Sequence, residues 1–177
     1  MSFYILLLIG TVPAAVVGFL FQSVVEDLFS SVKVVGVALL VTAFLNLLVD
    51  RATARRDKLS RIDAAFVGIA QAIAIVPGIS RSGATIFAGV SMGVDRKAVA
   101  EFSFLLSVPA ILGAGFLQFL THTGEGSVNL ASYAGGAIAA FVVGVFAISV
   151  VLRLLSEKQF KVFAIYCAIV GLIALLL

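Results

Sequence analysis

Apolar residues run through this chain in long blocks rather than in alternation, and polar residues are confined to a few short breaks. A helix needs about 20 mostly apolar residues to cross a bilayer. Five blocks approach that length: residues 3–22, 33–50, 97–120, 130–153 and 160–177. A sixth, 62–93, is broken near its centre by Pro77-Gly78, where an α-helix loses a backbone donor and meets a steric block. Neither half of it is long enough to span. The pattern predicts an all-α integral membrane protein with five transmembrane helices plus one re-entrant helical hairpin.

Charge placement decides how 62–93 is threaded. If it enters and leaves on one side, then Arg51, Arg55, Arg56, Lys58, Arg61, Arg96, Lys97, Arg153, Lys158 and Lys161 all share that side. An excess of Lys and Arg in short loops marks the cytoplasmic face, so these basic loops are expected to be cytoplasmic in a multi-pass protein of the cell membrane. The opposite loops carry Glu26, Asp27, His122 and Glu125, with only Lys33 at a helix end. A single crossing by 62–93 would divide the basic residues between two sides. The re-entrant path places the N-terminus inside and the C-terminus outside. Irregular backbone at membrane depth survives only when protein encloses it or it lines a wet cavity, so the five helices should pack around the hairpin.

A hairpin followed by three crossings is an odd unit whose duplicate would insert upside down, as in inverted-repeat transporters. Within a single membrane domain of residues 1–177, residues 1–50 read as two helices remaining from a first repeat. Residues 97–177 read as the three transmembrane helices of a second.

Composition agrees with the bilayer assignment. Of 177 residues, 62% are hydrophobic and 12% charged, and the mean hydropathy is +1.23, beyond what a soluble core of this size requires. The net charge of +3 would suit nucleic acid, but the basic residues lie in loops between apolar blocks, so no nucleic-acid partner is expected. Cys167 is the only cysteine and sits in an apolar run; it excludes an internal disulfide or Cys-based metal site and is expected to be buried. Met1-Ser2 leads directly into Phe3-Tyr4-Ile5-Leu6 without a basic n-region, so no cleaved signal peptide is expected.

The candidate chemistry lies at the hairpin. Arg81 is the only charge between Asp63 and Asp95, and a charge at membrane depth costs roughly 2.5–3.5 kcal/mol on insertion scales. Around it stand Ser80, Ser82, Gly83 and Thr85, three hydroxyls and a glycine that lets backbone approach a ligand. Ser80 or Ser82 is placed to cap the second half-helix, whose first turn then offers free N–H groups and a partial positive charge. Arg81 adds a planar fork of donors, and Thr85 lies one turn beyond it; together these suit a phosphate. Gln71, two turns before Pro77, is placed to add a hydrogen bond. The other use of Arg81 is to lock the hairpin to its own carbonyls.

The remaining polar residues divide more evenly. Glu101 either pairs with Arg81, binds a cation, or is an interfacial carboxylate. His122 lies in a glycine-containing loop and reads as solvated, and Glu26-Asp27 reads as an acidic turn. Thr42 and Asn46, one turn apart, read as hydrogen-bonding glue between helices. Gly113-Ala114-Gly115 and Gly135-Gly136-Ala137 read as close packing faces.

Pro77-Gly78-Ile79-Ser80-Arg81-Ser82-Gly83-Ala84-Thr85, preceded by Gln71-Ala72 and followed by Glu101-Phe102-Ser103-Phe104-Leu105-Leu106-Ser107-Val108-Pro109-Ala110, resembles the undecaprenyl-diphosphate phosphatases, or bacitracin-resistance proteins. The resemblance runs from Gly10-Thr11-Val12-Pro13-Ala14-Ala15 to Phe163-Ala164-Ile165-Tyr166. It implies an inverted-repeat fold with two re-entrant hairpins, and a hydrolase that removes one phosphate from a polyprenyl diphosphate to recycle the carrier lipid for cell-wall synthesis. It further implies that Arg81 holds the diphosphate beside Ser80, Ser82 and Thr85, and that a divalent cation, Mg or Ca, takes part. The family's first hairpin bears a Glu-x-x-x-Glu pair and a Pro-x-Ser-Ser-x-Gly-His motif, which this chain lacks. Its catalytic nucleophile, base and metal ligands are therefore not evident, and the chain resembles the C-terminal two-thirds of the family. The alternatives are a non-catalytic lipid-phosphate binder or transporter, or one subunit of a two-chain phosphatase; a homo-oligomer or a complementing chain would be its protein partner.

Overall fold

The computed structural model describes residues 3–121 and 130–177, and these form eight helices with no strand among them. In chain order they are α1 (Phe3–Leu20), α2 (Gln22–Phe29), α3 (Val32–Arg51), α4 (Arg61–Ile73), α5 (Arg81–Ser91), α6 (Arg96–Thr121), α7 (Leu130–Ser156) and α8 (Lys161–Leu176). Four stretches are long and apolar enough to cross a membrane: Phe3–Leu20, Val32–Arg51, Arg96–Phe116 and Ala131–Ser156. The last expected crossing, 160–177, contains the shorter apolar helix α8 of 16 residues, whose length of about 24 Å falls short of the ~30 Å hydrocarbon core. Large apolar side chains such as Phe19, Phe116, Phe141, Phe146 and Leu172 are exposed, a surface that suits lipid and not water.

Residues 62–93 form two short helices, α4 and α5, joined through 74–80. The break expected at Pro77-Gly78 is therefore present, and Gly78 adopts a left-handed φ of 94°. A Cβ there would also stand 2.6 Å from the Val35 carbonyl oxygen of α3, so only glycine fits. At the other end the two arms are tied together. The Arg55 N–H donates to the Gly93 carbonyl at 2.8 Å, and the Asp95 N–H donates to the Arg56 carbonyl at 2.8 Å.

The basic segments converge at that end. The Arg96 guanidinium donates to the Val49, Asp50 and Ala52 carbonyls, covering the C-terminus of α3. The Asp50 carboxylate accepts from the Phe160 and Lys161 N–H groups at 3.1 and 2.9 Å, capping α8 across the α7–α8 turn. Val49, Ile86, Val90, Val99, Leu155 and Phe160 fill the core beneath. A second core, with Leu6, Val67, Phe102 and Leu106, lies among α1, α4 and α6.

Close helix crossings are made at paired glycines. A Cβ on Gly68 of α4 would meet the Gly10 carbonyl oxygen of α1 at 2.5 Å, and one on Gly171 of α8 would meet the Gly36 carbonyl oxygen of α3 at 2.9 Å. The expected glycine faces at 113–115 and 135–137 do not behave this way: around Gly113, Gly115, Gly135 and Gly136 a Cβ finds nothing within 4 Å. Residues 131–143 of α7 are exposed throughout, whereas Leu155 near its other end is buried in the core, so the Gly135-Gly136 stretch is not at a close crossing. Glu26 and Asp27 are likewise not in a turn but in α2, whose Val24, Val25 and Leu28 line a cavity of about 600 Å3 with α1 and α4. His122 and Glu125 lie outside the described residues.

Candidate functional site: the N-terminus of α5

Ser80 is the N-cap of α5, and its side chain accepts from the Gly83 N–H at 3.2 Å. Its Oγ lies 3.4 Å from that of Ser82. The N–H groups of Arg81 and Ser82, the first two residues of the helix, have no intrahelical acceptor by position and carry the positive end of the dipole. Arg81 is half-buried, and among the described residues its guanidinium makes no hydrogen bond or ion pair. The alternative in which it locks the hairpin to backbone carbonyls is therefore not the arrangement found.

The lock is Thr42. Its hydroxyl donates to the Gly78 carbonyl at 3.0 Å and accepts from the Ser80 N–H at 2.9 Å, fixing the connector to α3 from both sides. Thr42 is 1% exposed, while Gly78 and Ser80 are only partly buried. Thr42→Val keeps the shape and removes both hydrogen bonds; the expected destabilisation is about 1–3 kcal/mol, checked by thermal unfolding in detergent or nanodiscs.

Thr85 is buried one turn into α5. Its hydroxyl is 2.8 Å from the Arg81 carbonyl and 2.6 Å from the Ser103 hydroxyl of α6, a partner that spacing along the chain did not reveal. Gln71 is 3% exposed on α4, and neither end of its carboxamide is hydrogen-bonded among the described residues. Glu101 is exposed on α6 and is not paired with Arg81; the ion pairs among the described residues are Arg56–Asp63 and Arg153–Glu157. Asn46, grouped with Thr42 as interhelical glue, has its Oδ1 buried without a partner. Cys167 is buried as expected.

The mouth of the hairpin is closed by charge. Arg56 donates to both oxygens of the buried Asp63 carboxylate at 2.5 and 2.6 Å, while Asp63 and Ser60 form a reciprocal capping box that starts α4. The Arg56 hydrogen bond is the main cause holding the Asp63 carboxyl down at about 2. A folded-state value below the unfolded one, about 3.9, stabilises the fold above that unfolded value. The contribution is lost as pH falls through about 2. Asp63→Asn is expected to lower the unfolding temperature at pH 7, with the difference from wild type closing toward pH 2 in paired thermal scans.

A divalent cation needs several oxygen ligands at one place. Among the described residues no three of His, Cys, Asp or Glu come together. The arrangement offers anion binding: a free guanidinium fork, helix N–H groups and two hydroxyls on one tip.

The profile of the family described as bacitracin resistance protein BacA matches residues 1–173. A protein of Methanothermobacter thermautotrophicus named undecaprenyl-diphosphatase is 46% identical over 96% of this chain and 97% of its own length. Proteins of the same name from Halothermothrix orenii and Bacillus subtilis are 43% and 39% identical, over 98% and 96% of this chain. Of those two relatives the chain spans only 69% and 64%, respectively. With the match covering almost every residue, the chain belongs to the bacitracin resistance protein BacA family.

Proposed function

We propose that this chain is a membrane phosphatase of the undecaprenyl-diphosphatase type, taking a polyprenyl diphosphate whose head group sits on the N-terminus of α5. The observation that carries this reading is Arg81: a half-buried guanidinium at the first position of a helix, whose fork has no partner among the described residues. Its fork suits two phosphoryl oxygens, and the Arg81 and Ser82 N–H groups suit a third, with the Ser80 and Ser82 hydroxyls beside them. Donors fixed in this way favour charge that builds on oxygen as a phosphoryl group departs. Gln71 adds a neutral hydrogen bond from α4, and Thr85 keeps the first turn of α5 in place through Ser103. A divalent cation, Mg or Ca, would be held chiefly by the diphosphate oxygens and water, since no three carboxylate, histidine or cysteine side chains come together among the described residues.

The threading that accompanies this reading has five crossings, α8 completing the last, with α4 and α5 as a re-entrant hairpin opening toward the cytoplasm. It is supported by the Arg55–Gly93 and Arg56–Asp95 hydrogen bonds, which join the hairpin's entry to its exit, and by the gathering of basic segments at that end. Single cysteines at Arg61 and Lys97, with Cys167 replaced, should be labelled from the same side; labelling from opposite sides would refute the hairpin.

One observation favours a second reading. Because the described residues hold no cluster of carboxylates or histidine, the chain alone would bind a lipid phosphate without cleaving it, as a transporter or as one subunit beside a complementing chain. Phosphate release from undecaprenyl diphosphate by the purified chain, with Mg2+ or Ca2+, separates the two. Release above background supports the phosphatase; tight binding with no release supports the binder. The relative of nearly equal length that carries the undecaprenyl-diphosphatase name is the reason to favour the former.

A further inference from the structure

Asn46 lies on α3 one turn beyond Thr42, which moors the hairpin, yet its own Oδ1 moors nothing. The residue is 2% exposed, and that oxygen is buried with no hydrogen-bond partner among the described residues. Its position is set by Gly83, the third residue of α5: a Cβ added there would stand 2.7 Å from the Asn46 oxygen. The carboxamide is thus seated against the helix end that carries Ser80 and Arg81, in space any side chain at 83 would take. A buried polar group without a partner is costly, whereas an apolar group of the same shape is not; folds keep such groups where a ligand or water completes them.

Resting on the diphosphate reading above, we propose that Asn46 is a ligand-contacting residue, which completes the hydrogen bonding of the phosphoryl head group from the α3 side of the α5 N-terminus. A carboxamide suits this place because it is ambivalent. Its N–H group donates to an ionised phosphoryl oxygen, its oxygen accepts from a protonated one, and a half-turn of the side chain exchanges the two. It is also neutral, so it adds a hydrogen bond to the ligand without adding a second buried charge beside Arg81. Gly83 acquires a definite function: it leaves the room that brings the carboxamide to the helix end.

The test joins two readouts on purified protein in nanodiscs, titration with farnesyl diphosphate and thermal unfolding. Asn46→Leu removes the unpaired amide at nearly constant shape. It is expected to unfold at an equal or higher temperature than wild type while binding about tenfold more weakly. A residue that served only the fold would give the reverse, a lower unfolding temperature with unchanged affinity, and that result overturns the proposal. Asn46→Asp keeps the shape if the leucine variant misfolds; facing a phosphate, its charge should weaken binding more than leucine does, and wild-type affinity in it overturns the proposal equally. Arg81→Ala runs beside them. Weak binding there with normal binding by both Asn46 variants rejects the role of Asn46 alone, whereas no binding by the wild type rejects the diphosphate reading and this inference with it.

Discussion

Arg81→Ala is expected to weaken the binding of a prenyl diphosphate roughly 30- to 700-fold, the equivalent of about 2–4 kcal/mol, while leaving the protein as stable as wild type. The two halves of that expectation come from the same fact. The guanidinium has no protein partner among the described residues, so its removal breaks no internal hydrogen bond. All of its donors are available to the ligand, and charge-assisted bonds to phosphoryl oxygens are about twice as strong as neutral ones. Arg81→Lys retains the charge but not the planar fork, and should fall between, near a tenfold loss. Titration calorimetry and thermal unfolding on the same preparations check both halves; a large fall in unfolding temperature would mean that Arg81 holds the hairpin together.

The largest expected effect on stability is at Gly68. In Gly68→Ala the new methyl would lie 2.5 Å from the Gly10 carbonyl oxygen and 2.9 Å from the Gly10 Cα, both backbone atoms that no rotamer can move aside. Relief requires α1 and α4 to separate, which opens the core containing Val67 and Leu106. Overpacking of this kind costs typically 1–3 kcal/mol, and the value here should lie at or above ~3 kcal/mol because backbone meets backbone. Gly113→Ala is the contrast: nothing lies within 4 Å of its Cβ, and alanine is the better helix former by about 1 kcal/mol. Unfolding midpoints should fall sharply for the first and hold or rise for the second.

These contrasts show where the sequence was legible. Pro77-Gly78 broke the apolar run where the helices do break, and Arg81 was conspicuous as a lone charge; both are local signals of residue type. The partners of the polar residues were not local. Thr42 and Asn46 differ little as polar residues one turn apart on an apolar helix, yet one ties down the Gly78 and Ser80 backbone and the other is left unpaired against Gly83. That difference is set by how α3 meets α5, which no spacing within 32–51 encodes. The Thr85–Ser103 contact spans two helices in the same way.

The glycines make the same point from the other side. Gly10 and Gly68 carried no stronger mark than Gly113 or Gly135, but only the first pair makes a crossing, because a small residue permits close approach without supplying the helix that approaches. The acidic pair Glu26-Asp27 misled in a different way. Its charges read as a turn, while the apolar Val24, Val25 and Leu28 at helical spacing were the better signal for α2.

In the function proposed, the N-terminus of α5, armed with Arg81, recognises the diphosphate head of a prenyl lipid. The most direct test is to titrate the wild-type chain in nanodiscs with farnesyl diphosphate and, separately, with farnesol, which has the same tail and no phosphate. Saturable binding of the diphosphate at least about tenfold tighter than that of the alcohol is the predicted result. Equal affinity for the two would contradict the claim, because recognition would then reside in the tail and Arg81 would have no ligand to hold.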